Sequence, residues 1–420
     1  MALNMPNAQS IMRHIYPNGL TLLIYETPHT QSVVITGTLD AGALYETTQG
    51  MASMTAAMLM RGTHQRDFDT LHDTLESSGA DLGYSAGHHK VGFSGKALAE
   101  DLPLMIELLA DTLQNPAFDI DLLEQLRGER LTSLNYLQQD TAFQASKAFR
   151  EALYPVDHSY HYSTRGTQET ITTLDRDQLA AFHARVYGSQ RMILTIVGAV
   201  KTADVIQIVG DRLGGWHNVV QPARADLPPL THNHSPQNPI TVTVPGKQQT
   251  DFLFGAIGPS RYATDYQAAN LGNSILGVFG MMGRIGQVVR EREGLAYYAG
   301  SRVNGGHGPG AWRVSAGVAP TNVGRAVEII KHEIDDFTQS PVSEEELDDN
   351  KSYFVGRLPL QLENNDGIAA TIHAMESYSL GLDYLENYRS TIYNITAEDI
   401  LNAARHYFKP ENMILSIAGP

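Results

Sequence analysis

The 420-residue chain contains no cysteine, so neither a disulfide framework nor a thiolate metal site is available to it, and its redox compartment is left open. It also lacks any run approaching the about 18 consecutive apolar residues of a spanning helix, which excludes membrane insertion by that route. Positive charge is scarce: 30 Lys and Arg stand against 46 Asp and Glu, a net charge of −16. That balance argues against a nucleic-acid footprint and against a polybasic membrane anchor, while cationic or extended peptides remain compatible ligands. The first ten residues lack the basic-then-apolar layout of an export signal. The expected location is the cytoplasm, or the periplasm if a leader has been removed. What is present is an apolar fraction of 42%, ample for globular packing, at a length that points to two or three domains.

The strongest internal signal is a duplication. Tyr187-Gly-Ser-Gln-Arg-Met-Ile-Leu-Thr-Ile-Val-Gly198 aligns without gaps on Phe408-Lys-Pro-Glu-Asn-Met-Ile-Leu-Ser-Ile-Ala-Gly419, an offset of 221 residues. The match continues upstream at the same offset, where Asp175 and Thr396 are each placed to cap the free N–H groups of a helix's first turn. Each half is therefore expected to end as a capped helix, a short turn and a buried strand. Between the halves, residues 219–238 hold four prolines, His232 and His234, and little apolar periodicity, which reads as a linker.

The pattern predicts strands at 20–25, after an Asn18-Gly19 turn, and at 33–38, with counterparts near 241–244 and 251–257. Amphipathic helices follow in each half: Leu102, Ile106, Leu109 and Leu113 in the first, and Val323, Val327, Ile330, Ile334 and Phe337 in the second. Ser343 with Glu346 forms a capping box at the start of a further long helix. The expected fold class is α+β: two homologous α/β sandwich domains, each a mostly antiparallel sheet packed with helices. The boundaries drawn are 1–218, a linker at 219–238, and 239–420.

Several groups of residues invite a chemical reading. His88-His89, His158 with His161, and His232 with His234 lack a third histidine or a carboxylate at zinc spacing, and surface or turn histidines are the better reading. The glycines of 277–283 lack the Lys-Ser/Thr of a phosphate-binding loop. Ser53 has no histidine base in a matching frame. Taken alone, residues 50–63 are an apolar helix. On residue type alone, Arg290 on a last helical turn serves the helix dipole or a surface ion pair, and Tyr297 in the following strand serves a core.

Two motifs change that picture. Gly280-Met-Met-Gly-Arg-Ile-Gly-Gln-Val-Val-Arg-Glu-Arg-Glu-Gly-Leu-Ala-Tyr297 resembles the C-terminal half of the pitrilysin/insulinase peptidases, the inverted zincins, where a glycine-rich turn leads to a helix ending in Arg-Glu-x-x-Gly-Leu-Ala-Tyr. Gly50-Met-Ala-Ser-Met-Thr-Ala-Ala-Met-Leu-Met-Arg-Gly-Thr63 has the frame of that family's zinc helix, His-x-x-Glu-His followed by Gly-Thr. The resemblance runs along essentially the whole chain, including Lys351-Ser-Tyr-Phe-Val-Gly-Arg-Leu-Pro-Leu-Gln-Leu362 and both strand-and-glycine endings.

It fails at the metal. The two histidines fall at Ser53 and Ala57 and the glutamate at Ala56. The region of the family's third ligand, 131–139, contains no carboxylate, and Glu129 and Asp140, which flank it, are out of register. Hydroxyl and methyl groups supply neither donors for zinc nor a base for bound water.

The resemblance implies that Arg290 and Tyr297 hold a substrate carbonyl and stabilise its oxyanion in a site completed by another chain. It implies that Gly79, Ala80, Asp81 and Leu82 belong to an edge strand that pairs with extended peptide, and that Gly280 and Gly283 belong to a substrate loop. On this reading the chain carries no cofactor. Zinc resides in a homologous partner subunit like those of bacterial heterodimeric peptidases, and the ligand is peptide. A homodimer is the other assembly. The alternative is a processing-peptidase-like structural or peptide-holding homologue without a part in hydrolysis. A peptidase with unrecognised ligands would instead purify with stoichiometric zinc.

Overall fold

A computed structural model describes residues 5–228, 230 and 238–420. The chain packs into two compact units, and neither is a contiguous half of the sequence. One comprises Met1–Ser133, Ser163–Asp226 and Leu358–Asn387; the other comprises Leu134–Tyr162, Leu227–Arg357 and Tyr388–Pro420. The boundaries 1–218 and 239–420 follow the repeat along the sequence, and each compact unit also includes one helical segment from the other half. Of the expected linker, residues 229 and 231–237, with His232 and His234, lie outside the described residues. Its first residues are held in unit one, where Arg191 Nη2 donates to Pro222 O at 2.8 Å and Ala225 N donates to the Tyr45 hydroxyl at 3.1 Å.

Unit one is built on strands β1 (Met12–Ile15), β2 (Thr21–Glu26), β3 (Ser32–Leu39), β4 (Asp81–Ala86), β5 (Val91–Leu98) and β6 (Ile193–Gly198), in the sheet order β1-β2-β6-β3-β5-β4. Unit two has β7 (Ile240–Thr243), β8 (Thr250–Ile257), β9 (Ala296–Val303), β10 (Ala311–Val318) and β11 (Ile414–Gly419), in the order β7-β11-β8-β10-β9. Apart from β1, the two orders are the same once β2 is matched to β7, so the duplication seen in the sequence is a duplication of topology. In each sheet one pair is parallel, β2 with β6 and β7 with β11, and the rest are antiparallel.

The local causes follow the sequence. β6 is buried at every position, as its apolar-rich sequence requires of a central strand, Thr195 included. The preceding helix, Arg176–Val186, begins in a capping box of Asp175 with Gln178, and its counterpart Ala397–Tyr407 begins in one of Thr396 with Asp399. Ser343 and Glu346 form the third box that the sequence signals.

The exchanged helices are also equivalents of one another. In unit one, Asn365–Ser377 lies on β3 and β6, with Asn365 Nδ2 donating to Ser32 O at 3.1 Å. In unit two, Thr141–Leu153 lies on β8 and β11, and Ser416 Oγ donates to Ala145 O at 2.7 Å. Ala145, Phe149 and Leu153 pack there with Leu253, Ile414 and Ala418. On the opposite face of this sheet Trp312 is fully buried against Phe408 and Phe337, with ring centroids 4.5 and 6.4 Å away.

Candidate functional site

In unit one the candidate residues lie on the helix Met51–Met58 and on β4, which pack together. The helix's frame is intact and structurally occupied. Its entry is fixed by Glu46, whose carboxyl accepts from Gly50 N at 3.3 Å and Ala52 N at 3.0 Å, and burial pushes that carboxyl up to about 7. Beyond the helix, Thr63 Oγ1 donates to Asp111 Oδ2 at 2.8 Å, and Arg66 Nη1 donates to the same oxygen at 2.7 Å. The ligand frame is empty of donors. Ser53 and Ala57, four residues apart on one face, are half-buried, and Ala56 is 1% exposed.

Both flanking carboxylates are engaged elsewhere. Glu129 pairs with Arg61 at 2.7 Å, and Asp140 caps the helix Thr141–Leu153 by accepting from Phe143 N at 2.6 Å. Among the described residues no three histidine or carboxylate side chains converge on a point where a metal would be held. The side chains at this helix do not fit zinc, whose ligation needs imidazole, carboxylate or thiolate donors.

β4 is the last strand of its sheet, so one of its backbone edges is unpaired by any strand of that sheet. Asp81 and Leu82 lie within it, whereas Gly79 and Ala80 belong to the turn before it. Their amides close the preceding helix, Gly79 N to Glu76 O at 3.0 Å and Ala80 N to Leu75 O at 2.9 Å. Two of the histidine pairs, His88-His89 and His158 with His161, lie among the described residues. The His88 and His89 carbonyls accept from Leu44 N and Gly42 N. His158 is no surface residue: it is fully buried, with Tyr154 stacked at 5.2 Å and Tyr160 at 4.9 Å.

In unit two the glycine-rich stretch is not an open loop. Helix Tyr266–Gly277 passes into helix Phe279–Gly286 and then into a π-helical turn, Gln287–Arg292. Gly283 has φ +65°, and a Cβ there would sit 2.4 Å from Ile275 O, so this position excludes any side chain. Gly280 has open space around it. The next arginine along, Arg284, is locked by a two-pronged pair to Glu346, both contacts at 2.6 Å.

Arg290 differs. It is half-buried in the π turn, a geometry that recurs at functional sites. The turn closes through Glu293 N to Val288 O at 3.2 Å and Leu295 N to Val289 O at 3.0 Å, with Gly294 at φ +62° reversing the chain into β9.

Tyr297 sits at a second irregularity. On β10, Gly317 pairs with Tyr298 and Val318 with Ala296, so Tyr297 is the extra residue of a bulge on the edge strand. A bulge re-aims its side chain, and Tyr297 is 88% exposed. Among the described residues neither Arg290 nor Tyr297 has a hydrogen-bond or ion-pair partner.

The adjacent Tyr298 is held fast. Its hydroxyl donates to Asp251 Oδ1 at 2.7 Å, where Gln249 Nε2 also donates at 2.9 Å, and Thr141 Oγ1 donates to the other carboxylate oxygen. Burial and the Asp251 charge push the Tyr298 phenol upward. Asp251 and Tyr298 are both register partners of Gly317, so the bond passes over a strand at the one position without a side chain. A Cβ on Gly317 would lie 2.5 Å from the Tyr298 ring and 2.8 Å from Asp251 Oδ1. This clamp fixes the residue next to the bulge. Its sequence signal, an aspartate inside the apolar strand at 250–257, is visible but does not name its partners.

These features agree with the chain's similarities. Residues 21–156 match the family model described as insulinase (peptidase family M16), and residues 173–354 match the one described as the peptidase M16 inactive domain. The chain belongs to peptidase family M16. A Rickettsia bellii protein named an uncharacterized zinc protease is 25% identical over 417 residues, 96% of each chain. The crystal structure of a peptidase M16 inactive domain from Pseudomonas fluorescens superposes with a TM-score of 0.91 at 24% identity, covering 98% of each chain. That of a Helicobacter pylori protease gives 0.88 at 17% identity, covering 99% of this chain and 100% of that one. The fold is thus that of two M16-type domains, and this M16 member is a homologue of zinc peptidases. Among the described residues no helix is long and apolar enough to cross a membrane.

Proposed function

We propose that the chain is the zinc-free subunit of a two-chain peptidase, contributing Arg290 and Tyr297 to a homologous partner that carries His-x-x-Glu-His. The observation that carries this reading is the pairing of a π turn with a bulge, which leaves a guanidinium and a phenol without internal partners seven residues apart. Holding both in irregular backbone has a conformational cost, and stability alone gives no return for it. A fixed cation and an O–H donor are suited to a peptide carbonyl oxygen and hold it more strongly as it becomes an oxyanion. Zinc bound in the partner would polarise that carbonyl and activate the attacking water. The free edge of β4, at Asp81 and Leu82, offers backbone groups to an extended peptide.

The test is reconstitution. Mixing the chain with a homologue that holds the intact motif should produce peptidase activity. Arg290→Ala or Tyr297→Phe should lower kcat by about 10²–10³-fold at unchanged dimerisation. Full activity in both variants would remove the assigned roles. No hydrolysis with any such partner would favour a peptide-holding homologue.

A further inference from the structure

The face of the β9–β10 ladder that carries the Tyr298 clamp has a second feature. Down this face the register places Tyr298 opposite Gly317, Gly300 opposite Ser315, and Arg302 opposite Arg313. The strip therefore has a floor of glycine and serine, with the phenol–carboxylate clamp at one end and two guanidinium groups at the other. Arg302 is exposed and Arg313 is half-buried. Like charges directly opposite on neighbouring strands destabilise a sheet, and among the described residues neither arginine forms an ion pair with a carboxylate. Arg313 makes one polar contact, Nη1 to Ser146 Oγ at 3.3 Å, and Arg302 makes none among the described residues.

Arg150 follows Ser146 by one turn on the same face of helix Thr141–Leu153, and its Nε donates to His161 O at 3.1 Å. Among the described residues Arg150 has no ion pair either. Burial and the neighbouring Arg302 push the Arg313 guanidinium downward, as befits a cation without a counter-charge. Three guanidinium groups without an ion pair among the described residues thus stand around a small-residue floor, in a chain of net charge −16.

We infer that Arg302 and Arg313, with Arg150 behind them, bind a carboxylate of the peptide substrate, either an acidic side chain or the C-terminal carboxylate. This rests on the reading of the chain as a peptide-handling subunit. Arginine suits the task because its planar donors meet both carboxylate oxygens. Arg302 lies five residues beyond Tyr297 on β9, about 17 Å at strand rise. An extended peptide whose scissile bond lies at Tyr297 would therefore present its acidic group about five residues away. The substrate preference is for peptides with a negative charge at that remove.

Fluorescence anisotropy with the isolated full chain tests this without any partner. The probe is an extended, fluorescein-labelled peptide of alanine, threonine and glycine carrying one glutamate. Its counterparts carry glutamine instead, and a second pair, free of acidic side chains, ends in a carboxylate or an amide. At low salt the glutamate peptide, the carboxylate-ending peptide, or both should bind about tenfold more tightly than the neutral counterpart, and the responding pair identifies the source. Arg302→Gln, at an exposed position that does not threaten folding, should abolish the difference and leave the neutral peptide's affinity unchanged. Arg313→Gln should do the same where it folds.

Equal affinities within both pairs, a difference that survives Arg302→Gln, or no binding of any peptide overturns the inference. If Arg302→Gln weakens association with the partner subunit and leaves peptide discrimination intact, the arginines belong to an interface and the inference is likewise overturned. Failure of reconstituted hydrolysis would not touch this result, so the two readings fail separately.

Discussion

Two adjacent tyrosines make the sharpest test of how this unit is built, because the same substitution should do opposite things at each. Tyr298→Phe keeps the ring and deletes one hydroxyl whose acceptor, Asp251, is 1% exposed. Hydrogen bonds to charged groups contribute about 1.5–3 kcal/mol net, and water cannot easily reach the vacated position. A loss of about 2 kcal/mol is therefore expected. Tyr297→Phe deletes a hydroxyl with no partner on a side chain that is 88% exposed, so stability should hold within about 0.5 kcal/mol. Activity of the reconstituted peptidase should collapse in Tyr297→Phe, while Tyr298→Phe should lose activity only through displacement of the bulge.

Urea unfolding followed by the fluorescence of Trp312 reads unit two, and a Trp216→Phe background removes the only other tryptophan. An unchanged midpoint in Tyr298→Phe would refute the clamp. A loss above about 1 kcal/mol in Tyr297→Phe would show that its hydroxyl is structural and not displayed for use.

Other outcomes follow from single sites. The His183 imidazole donates from Nε2 to Leu113 O at 2.9 Å, and burial pushes it down to about 4 from an ordinary 6.5. Because the unfolded chain binds this proton more tightly, the contribution is fully present above pH 6.5 and is lost as pH falls toward 4. At 1.36 kcal/mol per unit the loss is about 3 kcal/mol. His183→Gln, which keeps a donor for Leu113, should flatten stability over that window in denaturant titrations at several pH values, and an unaltered slope would contradict it. Ala56→Glu, which restores one residue of the zinc motif, should cost about 3 kcal/mol or more, since it buries an unpaired carboxylate at a position 1% exposed. A variant as stable as the parent in urea would mean that the helix retains room for catalytic groups.

The comparison of sequence with structure divides along the range of the forces involved. Duplication, strand positions and capping boxes were legible because each depends on a few neighbouring residues: Asp175 and Thr396 satisfy N–H groups three positions away. The absence of zinc donors was legible because ligation depends on residue type, and no folding supplies imidazole at Ala57. Arg290 and Tyr297 became candidates only through resemblance, since an arginine and a tyrosine seven residues apart carry no chemistry of their own. Partnerships across strands were not legible. Tyr298 meets Asp251 across Gly317, and Arg302 meets Arg313, only because register sets them side by side.

The sequence by itself determined that this chain is a twofold α+β repeat whose helix at 50–63 holds serine and alanine where zinc donors would stand. Apolar periodicity and donor chemistry are written residue by residue. Tertiary structure decided which sheet each exchanged helix covers, because an apolar face specifies burial and not the partner, and the two sheets are near-copies. It also decided that Tyr297 faces solvent while Tyr298 is bound, because one extra residue in β9 reverses the alternation that the sequence alone would assign.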